Sequence, residues 1–178
     1  MAFTPAPKDH LGVKGPLKFD GTHFMLSWTD HPRENYFIQE YLPAGEKTET
    51  YHQMMTLHLF LVDIQSADAA AQKVKELTER KKTDPVCQFA VIKGPEGREH
   101  IVDFLLSESK QDKVSIVEFN IYRYVPVKTT KGNGMLVYAY TRRSYDDEID
   151  VFLNTLSDTR KKGIALMANA SVPLISLP

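Results

Sequence analysis

Hairpin signals between strand-like segments constrain the fold of this chain more than any other feature. The segments VCQFAVIK (86–93) and HIVDFLLS (100–107) are joined by a short GPEG turn. The segments KVSIVEFNIYRYVPV (113–127) and GMLVYAYTRRS (134–144) are joined by KTTKGNG. Glycine adopts the positive φ angles of tight hairpin turns at little cost. Both pairs are therefore predicted to be antiparallel hairpins.

Further strand-like segments precede a helical pattern, and a second helical pattern follows the last hairpin. The first three strands are predicted within 22–30, 35–42 and 50–60, and the first helix within 67–82. Acidic residues begin the second helix behind Ser144, and Gly163 is a candidate for its end. The proline-containing tail could add an edge strand. This order predicts an α+β fold with a mostly antiparallel sheet of six to seven strands and two main helices packed on it. By element order alone it resembles the Mog1/PsbP-like α–β sandwich.

The beginning of the chain differs in composition from the rest. Residues 1–21 contain three prolines, three lysines and three glycines, with little apolar periodicity. We expect an extended N-terminal arm or linker over 1–20 and a single α+β domain over 21–178. Such an arm often follows a removed leader, which favours an exported bacterial protein in the periplasm or outside the cell. A frayed cytoplasmic N-terminus is the alternative.

Charge and composition argue against several classes of partner. Lys and Arg total 22 and Asp and Glu total 23, so the net charge is −1. This balance creates no basic field for nucleic acid. No apolar run approaches the roughly 20 residues of a membrane span. The single cysteine, Cys87, lies in an apolar segment and is predicted to be buried and inert, because no activating base is evident beside it.

The segment TYHQMMTLHLF (50–60) raises the question of a metal site, because it carries two histidines and two methionines. On a strand, His52 and His58 would lie about 20 Å apart, so they cannot ligate one ion. We interpret the segment as a strand whose one face is apolar and whose other face carries partly buried histidines. No metal site and no cofactor are predicted, and no catalytic motif is found.

Polar and aromatic side chains alternate with apolar ones in the last predicted hairpin, and they form the candidate ligand-binding site. If the two strands align these sets on one face, that face carries tyrosines, a carboxylate, an amide and a guanidinium, which are favoured at binding surfaces. Cross-strand pairing without any ligand is the structural alternative. The candidate residues are Glu118, Asn120, Tyr122, Tyr124, Tyr138, Tyr140 and Arg142.

Three functions are compatible with these patterns. The favoured one is a non-enzymatic binding or accessory protein that uses this face for a small molecule or a partner protein. That hypothesis requires Tyr122, Tyr138 and Tyr140 not to be buried beneath a helix. The second is an enzyme of unknown reaction, with a pocket made of Glu118, Tyr122, Tyr138, Arg142 and His100. The third is an oligomerising module whose polar aromatic face forms a homo-oligomer interface.

Overall fold

One large antiparallel sheet and two helices make up the fold. A computed structural model of the chain describes residues 5–178. The sheet is a curled half-barrel of eight strands in the order β1-β2-β3-β4-β8-β7-β6-β5. The strands are β1 (Leu17–Phe19), β2 (Thr22–Arg33), β3 (Tyr36–Leu42), β4 (Gln53–Phe60), β5 (Gln88–Lys93), β6 (His100–Lys110), β7 (Lys113–Thr129) and β8 (Gly132–Tyr145). The helices are α1 (Ser66–Arg80) and α2 (Ile149–Asn169), with single 3₁₀ turns at Pro95–Gly97 and Asp146–Glu148.

The α+β class and the antiparallel sheet are confirmed, whereas the predicted strand number is too low. The sheet has eight strands instead of six or seven, because the short β1 pairs with the start of β2. The tail adds no strand. Helix α2 also continues past Gly163 to Asn169. A Cβ at Gly163 would lie 2.7 Å from Cδ1 of Ile121, so glycine allows the helix to approach the sheet closely.

Each helix covers a different face of the sheet. Ala69, Ala70 and Leu77 of α1 pack on one face, together with Val102 and Val137. We call this the α1 face. Ile149 and Met167 of α2 pack on the opposite face, where the larger apolar cluster lies. We call this the α2 face. Alternation of side chains along each strand separates the two sets.

The N-terminal segment is part of the domain in its described portion, which corrects the predicted arm over 1–20. Leu11 is fully buried, and Leu17 and Phe19 of β1 also belong to the main apolar cluster. The Asp9 carboxylate accepts hydrogen bonds from the backbone N–H groups of Leu11 and Val13, at 3.1 and 3.0 Å. Composition concealed this role, because only a few apolar residues anchor the segment. The start of the predicted arm, residues 1–4, lies outside the described residues.

Within the part of the chain that the structure describes, no helix is both long enough and apolar enough to cross a membrane.

Replacing Leu11 tests whether the N-terminal segment contributes to the stability of the domain. Leu11→Ala should lower the free energy of unfolding by about 2 to 5 kcal/mol, because it leaves a cavity in a well-packed cluster. Urea unfolding at 25 °C measures this. Leu174→Ala is the control, since Leu174 is 91% exposed and should change stability by less than about 0.5 kcal/mol. Equal, small effects of both substitutions would show that residues 9–19 are a dispensable arm.

Candidate functional site

A cavity of about 340 Å³ lies on the α1 face, between α1 and the middle of the sheet. Its volume falls in the range of roughly 300 to 1,000 Å³ that small-molecule sites occupy. We call it the α1 pocket. Its lining consists of Tyr36, His58, Phe60, Val62, Ile64, Ala69, Gln72, Lys73, Glu76, Tyr122, Tyr124, Met135 and Val137.

Aromatic rings from three strands form one wall of the α1 pocket. Tyr36 pairs with Phe60 across β3 and β4, and their rings stack at 4.5 Å between centroids. His58 lies two residues before Phe60, so both side chains project from the same face. The His58 ring is nearly parallel to that of Tyr36 and lies 5.9 Å from the Tyr122 ring. A planar molecule could therefore lie against this wall with extensive contact.

His58 supplies a neutral polar group within the aromatic wall. Its Nδ1 atom shares a hydrogen bond of 2.8 Å with the Tyr36 hydroxyl. Burial, together with the smaller effect of the positive charge of Lys73, lowers the pKa of His58 to about 4. The imidazole is therefore uncharged at neutral pH, and it is a weak base there. This environment suits hydrogen bonding to a ligand better than proton transfer.

Charges at the helix side of the α1 pocket are paired with each other. The Lys73 ammonium lies 2.7 Å from the Glu76 carboxylate. It also lies 5.5 Å from the centre of the Tyr122 ring and 5.8 Å from that of Phe104, within the range of a cation–π contact. These contacts hold the Lys73 side chain against the rings of Phe104 and Tyr122. The helix side thus contributes one cation and one anion that largely compensate each other.

Tyr122 and Tyr124 direct two hydroxyl groups into the α1 pocket region from β7. Both side chains line the cavity, and neither hydroxyl forms a hydrogen bond with another group of residues 5–178. Burial raises the pKa of both phenols well above the usual value of 10. Both groups therefore stay protonated and can donate a hydrogen bond to a ligand. Neither hydroxyl is a buried unsatisfied atom, so both stay accessible and a ligand in the cavity can replace water as their partner.

The other two candidates on β7 lie on the same face but already have partners. The Glu118 carboxylate accepts hydrogen bonds from Arg143 at 2.6 and 3.0 Å and from the Tyr51 hydroxyl at 3.2 Å. The Asn120 side-chain oxygen accepts a hydrogen bond of 2.8 Å from Thr141. Its amide nitrogen is buried without a partner in the described part of the chain.

The structure does not place all the candidate residues on one face, which corrects the predicted alignment of the hairpin. Tyr122 pairs with Ala139, so Tyr138 and its neighbours on alternate positions of β8 project from the α2 face. Tyr138 and Tyr140 are buried there with residues of α2, so the binding face predicted across both strands does not form. Arg142 lies over the Phe152 ring of α2. The cause is register, because a shift of one residue moves every side chain to the other face.

The same register divides the hypothetical enzyme pocket. Glu118 and Tyr122 lie on the α1 face, whereas Tyr138 and Arg142 lie on the α2 face. His100 is buried on the α1 face, where it pairs with Tyr124, and its Nδ1 atom lies 2.7 Å from the Ser66 hydroxyl. Cys87 is buried, and burial raises the pKa of its thiol, as expected for an unreactive cysteine. Across residues 5–178, no cluster of three or more His, Cys, Asp or Glu side chains could hold a metal ion.

Sequence reasoning missed most of the residues that line the α1 pocket. It identified Tyr122 and Tyr124, and it placed His58 on a mixed strand face without assigning it a role. Tyr36 and Lys73 had no local signal, because their proximity depends on how β3 and α1 pack against β7. Alternation of histidine and aromatic residues on β4, at His58 and Phe60, was the one available indication.

Comparison with known proteins places the chain in a family. One family model matches residues 11–172, which is most of the sequence. The chain belongs to this family. The family's function is unknown. No match is found among curated proteins or among solved structures. The chemistry of the α1 pocket must therefore be inferred from its own residues.

The environment of His58 predicts a specific dependence of stability on pH. The pKa of His58 is about 4 in the folded chain, against 6.5 for an ordinary histidine. As pH falls below about 6.5, the unfolded chain therefore binds this proton first, and the native state loses stability until about pH 4. The loss attributable to His58 should reach about 3 kcal/mol.

Urea unfolding at pH 7 and at pH 4.5 measures this contribution. His58→Gln should lose less stability than the wild type between these two pH values. His52→Gln is the control, because His52 is exposed just before β4, and it should keep the wild-type difference. If His58→Gln and His52→Gln showed the same pH dependence, the assignment of a neutral, buried His58 would be wrong.

Proposed function

We propose that this protein is a non-enzymatic binding protein that takes a small, largely apolar molecule into the α1 pocket. The proposal rests on an aromatic cavity of about 340 Å³, lined by Tyr36, Phe60, Tyr122 and Tyr124 among other residues. Apolar walls with a few polar groups are typical of ligand sites. The likeness of the element order to the Mog1/PsbP-like sandwich remains a prediction.

The composition of the α1 pocket favours a ligand with an aromatic or flat apolar body. Tyr36, Phe60 and Tyr122 offer ring faces and edges, and Val62 and Met135 add aliphatic and thioether contacts. Burial of apolar surface would supply most of the affinity. The hydroxyls and neutral His58 would then orient a polar substituent.

Binding is favoured over catalysis by the state of the titratable groups in the α1 pocket. His58 is a weak base because its pKa is lowered, and the raised pKa values of Tyr122 and Tyr124 make them weak acids. Lys73 and Glu76 are paired with each other. A general acid or base works best with a pKa near the operating pH, and this set offers hydrogen bonding instead.

A titration with 2-naphthylmethanol, followed by isothermal calorimetry, tests this function. The wild type should bind the probe saturably with one site. Tyr122→Phe and Tyr124→Phe should each weaken binding about two- to tenfold, because each loses one neutral hydrogen bond worth about 0.5 to 1.5 kcal/mol.

Tyr138→Phe is the matched control for these variants. Tyr138 pairs with Arg123, the residue between Tyr122 and Tyr124 on β7. Its side chain projects from the α2 face, away from the pocket. Its substitution should leave the affinity unchanged. Absence of saturable binding to the wild type, for both 2-naphthylmethanol and 2-naphthylmethylamine, would overturn the proposed function. Equal effects of all three substitutions would place the binding outside the α1 pocket.

A further inference from the structure

Glu40 is a carboxylate on the α1 face that has no partner. It lies on β3 and is half-buried. In residues 5–178, no side chain or backbone group forms an ion pair or hydrogen bond with its carboxylate. Burial raises the pKa of Glu40, and the positive charge of Arg143 offsets this only in part. An unpaired, partly buried carboxylate is costly unless something compensates it.

The pairing of the strands places Glu40 next to the α1 pocket. Glu40 pairs with Thr56, Thr56 with Ala139, and Ala139 with Tyr122. Directly paired residues project from the same face of the sheet. These four residues therefore form one row across the α1 face, which ends at Tyr122 of the pocket. His58 is the diagonal neighbour of Glu40 across β3 and β4, which corresponds to about 7 to 8 Å between Cα atoms. A ligand in the pocket could therefore extend one substituent to Glu40.

Small and neutral side chains separate Glu40 from the α1 pocket. Thr56 and Ala139 occupy the positions between Glu40 and Tyr122, and both are short. The nearby Arg143 is already engaged, because its guanidinium donates two hydrogen bonds to Glu118. It also lies 4.3 Å from the centre of the Tyr51 ring. Arg143 is thus held by other groups and leaves Glu40 without a direct counter-ion.

Charges of both signs surround Tyr122, and Glu40 is the one among its neighbouring carboxylates without an ion pair in residues 5–178. Burial is the largest cause of the raised pKa of Tyr122, and the negative charges of Glu118, Glu76 and Glu40 add to it. Glu118 is paired with Arg143 and Glu76 with Lys73, so Glu40 is the carboxylate near Tyr122 whose charge is not balanced by a direct contact in the described residues. Lys73 lies at the helix side, where it is paired with Glu76. A cationic substituent would be attracted toward Glu40 and would point away from Lys73.

We infer that the ligand of the α1 pocket is an aromatic or flat apolar amine, whose protonated nitrogen pairs with Glu40. This inference rests on the proposed function, because it names the chemical class of the molecule bound at the same site. The ring system occupies the cavity between Tyr36 and Tyr122, and the ammonium lies over Thr56 toward Glu40. A cation there offsets the cost of a half-buried, unpaired carboxylate.

Two probes that differ in one group test the inference separately from the proposed function. 2-Naphthylmethylamine is protonated at pH 7, whereas 2-naphthylmethanol has the same ring system and no charge. The wild type should bind the amine about tenfold more tightly than the alcohol, the size expected of a charge-assisted contact. Glu40→Gln should remove this preference by weakening amine binding about tenfold, with alcohol binding unchanged within about twofold.

Glu108→Gln is the matched control, because Glu108 is an exposed glutamate on β6. It changes the net charge equally and should keep the preference for the amine. Thermal unfolding of both variants shows that the fold is retained. If the wild type bound both probes equally, or if Glu40→Gln kept the amine preference, the inference would be overturned while the α1 pocket remained a binding site. If neither probe bound, the proposed function and the inference would fail together.

Discussion

The pairing of β7 with β8 is the interaction on which the rest of the structure depends. The two strands pair continuously from Ile116 with Tyr145 to Thr129 with Gly132, so only two residues form the loop between them. Gly132 has a φ of 114°, a backbone conformation that side chains disfavour. This turn sets the register, and the register decides which side chains of the central strands belong to each face.

The two faces created by this register have different roles. On the α2 face, Phe119, Ile121 and Tyr138 join the cluster that holds α2 and the N-terminal segment. On the α1 face, the helix covers the β5–β7 side, and its turns bearing Ala69 and Lys73 form one border of the pocket. The stability of the domain therefore rests largely on one face, while the other can keep a cavity. Binding sites commonly lie between a helix and a sheet that pack incompletely.

Much of the fold was predictable because its signals are local. The helix at Ser66–Arg80 follows from a run of strong helix formers, and the hairpins follow from their glycine-containing turns. The faces of the last hairpin were not predictable in the same way. The sequence KTTKGNG is compatible with loops of several lengths. A shift of the strand register by one residue would place Tyr138, instead of Ala139, opposite Tyr122. The role of Leu11 was hidden as well, because a single buried side chain in a proline- and glycine-containing segment has no periodicity.

The central claim is that the α1 pocket holds a small, flat molecule against its aromatic wall. Intermolecular nuclear Overhauser effects between 2-naphthylmethanol and the methyl groups of the protein test this most directly. We expect contacts from the ring protons of the probe to the methyl groups of Met135 and Val137, which line the pocket. Contacts confined to residues of the α2 face, such as Leu136, would contradict it.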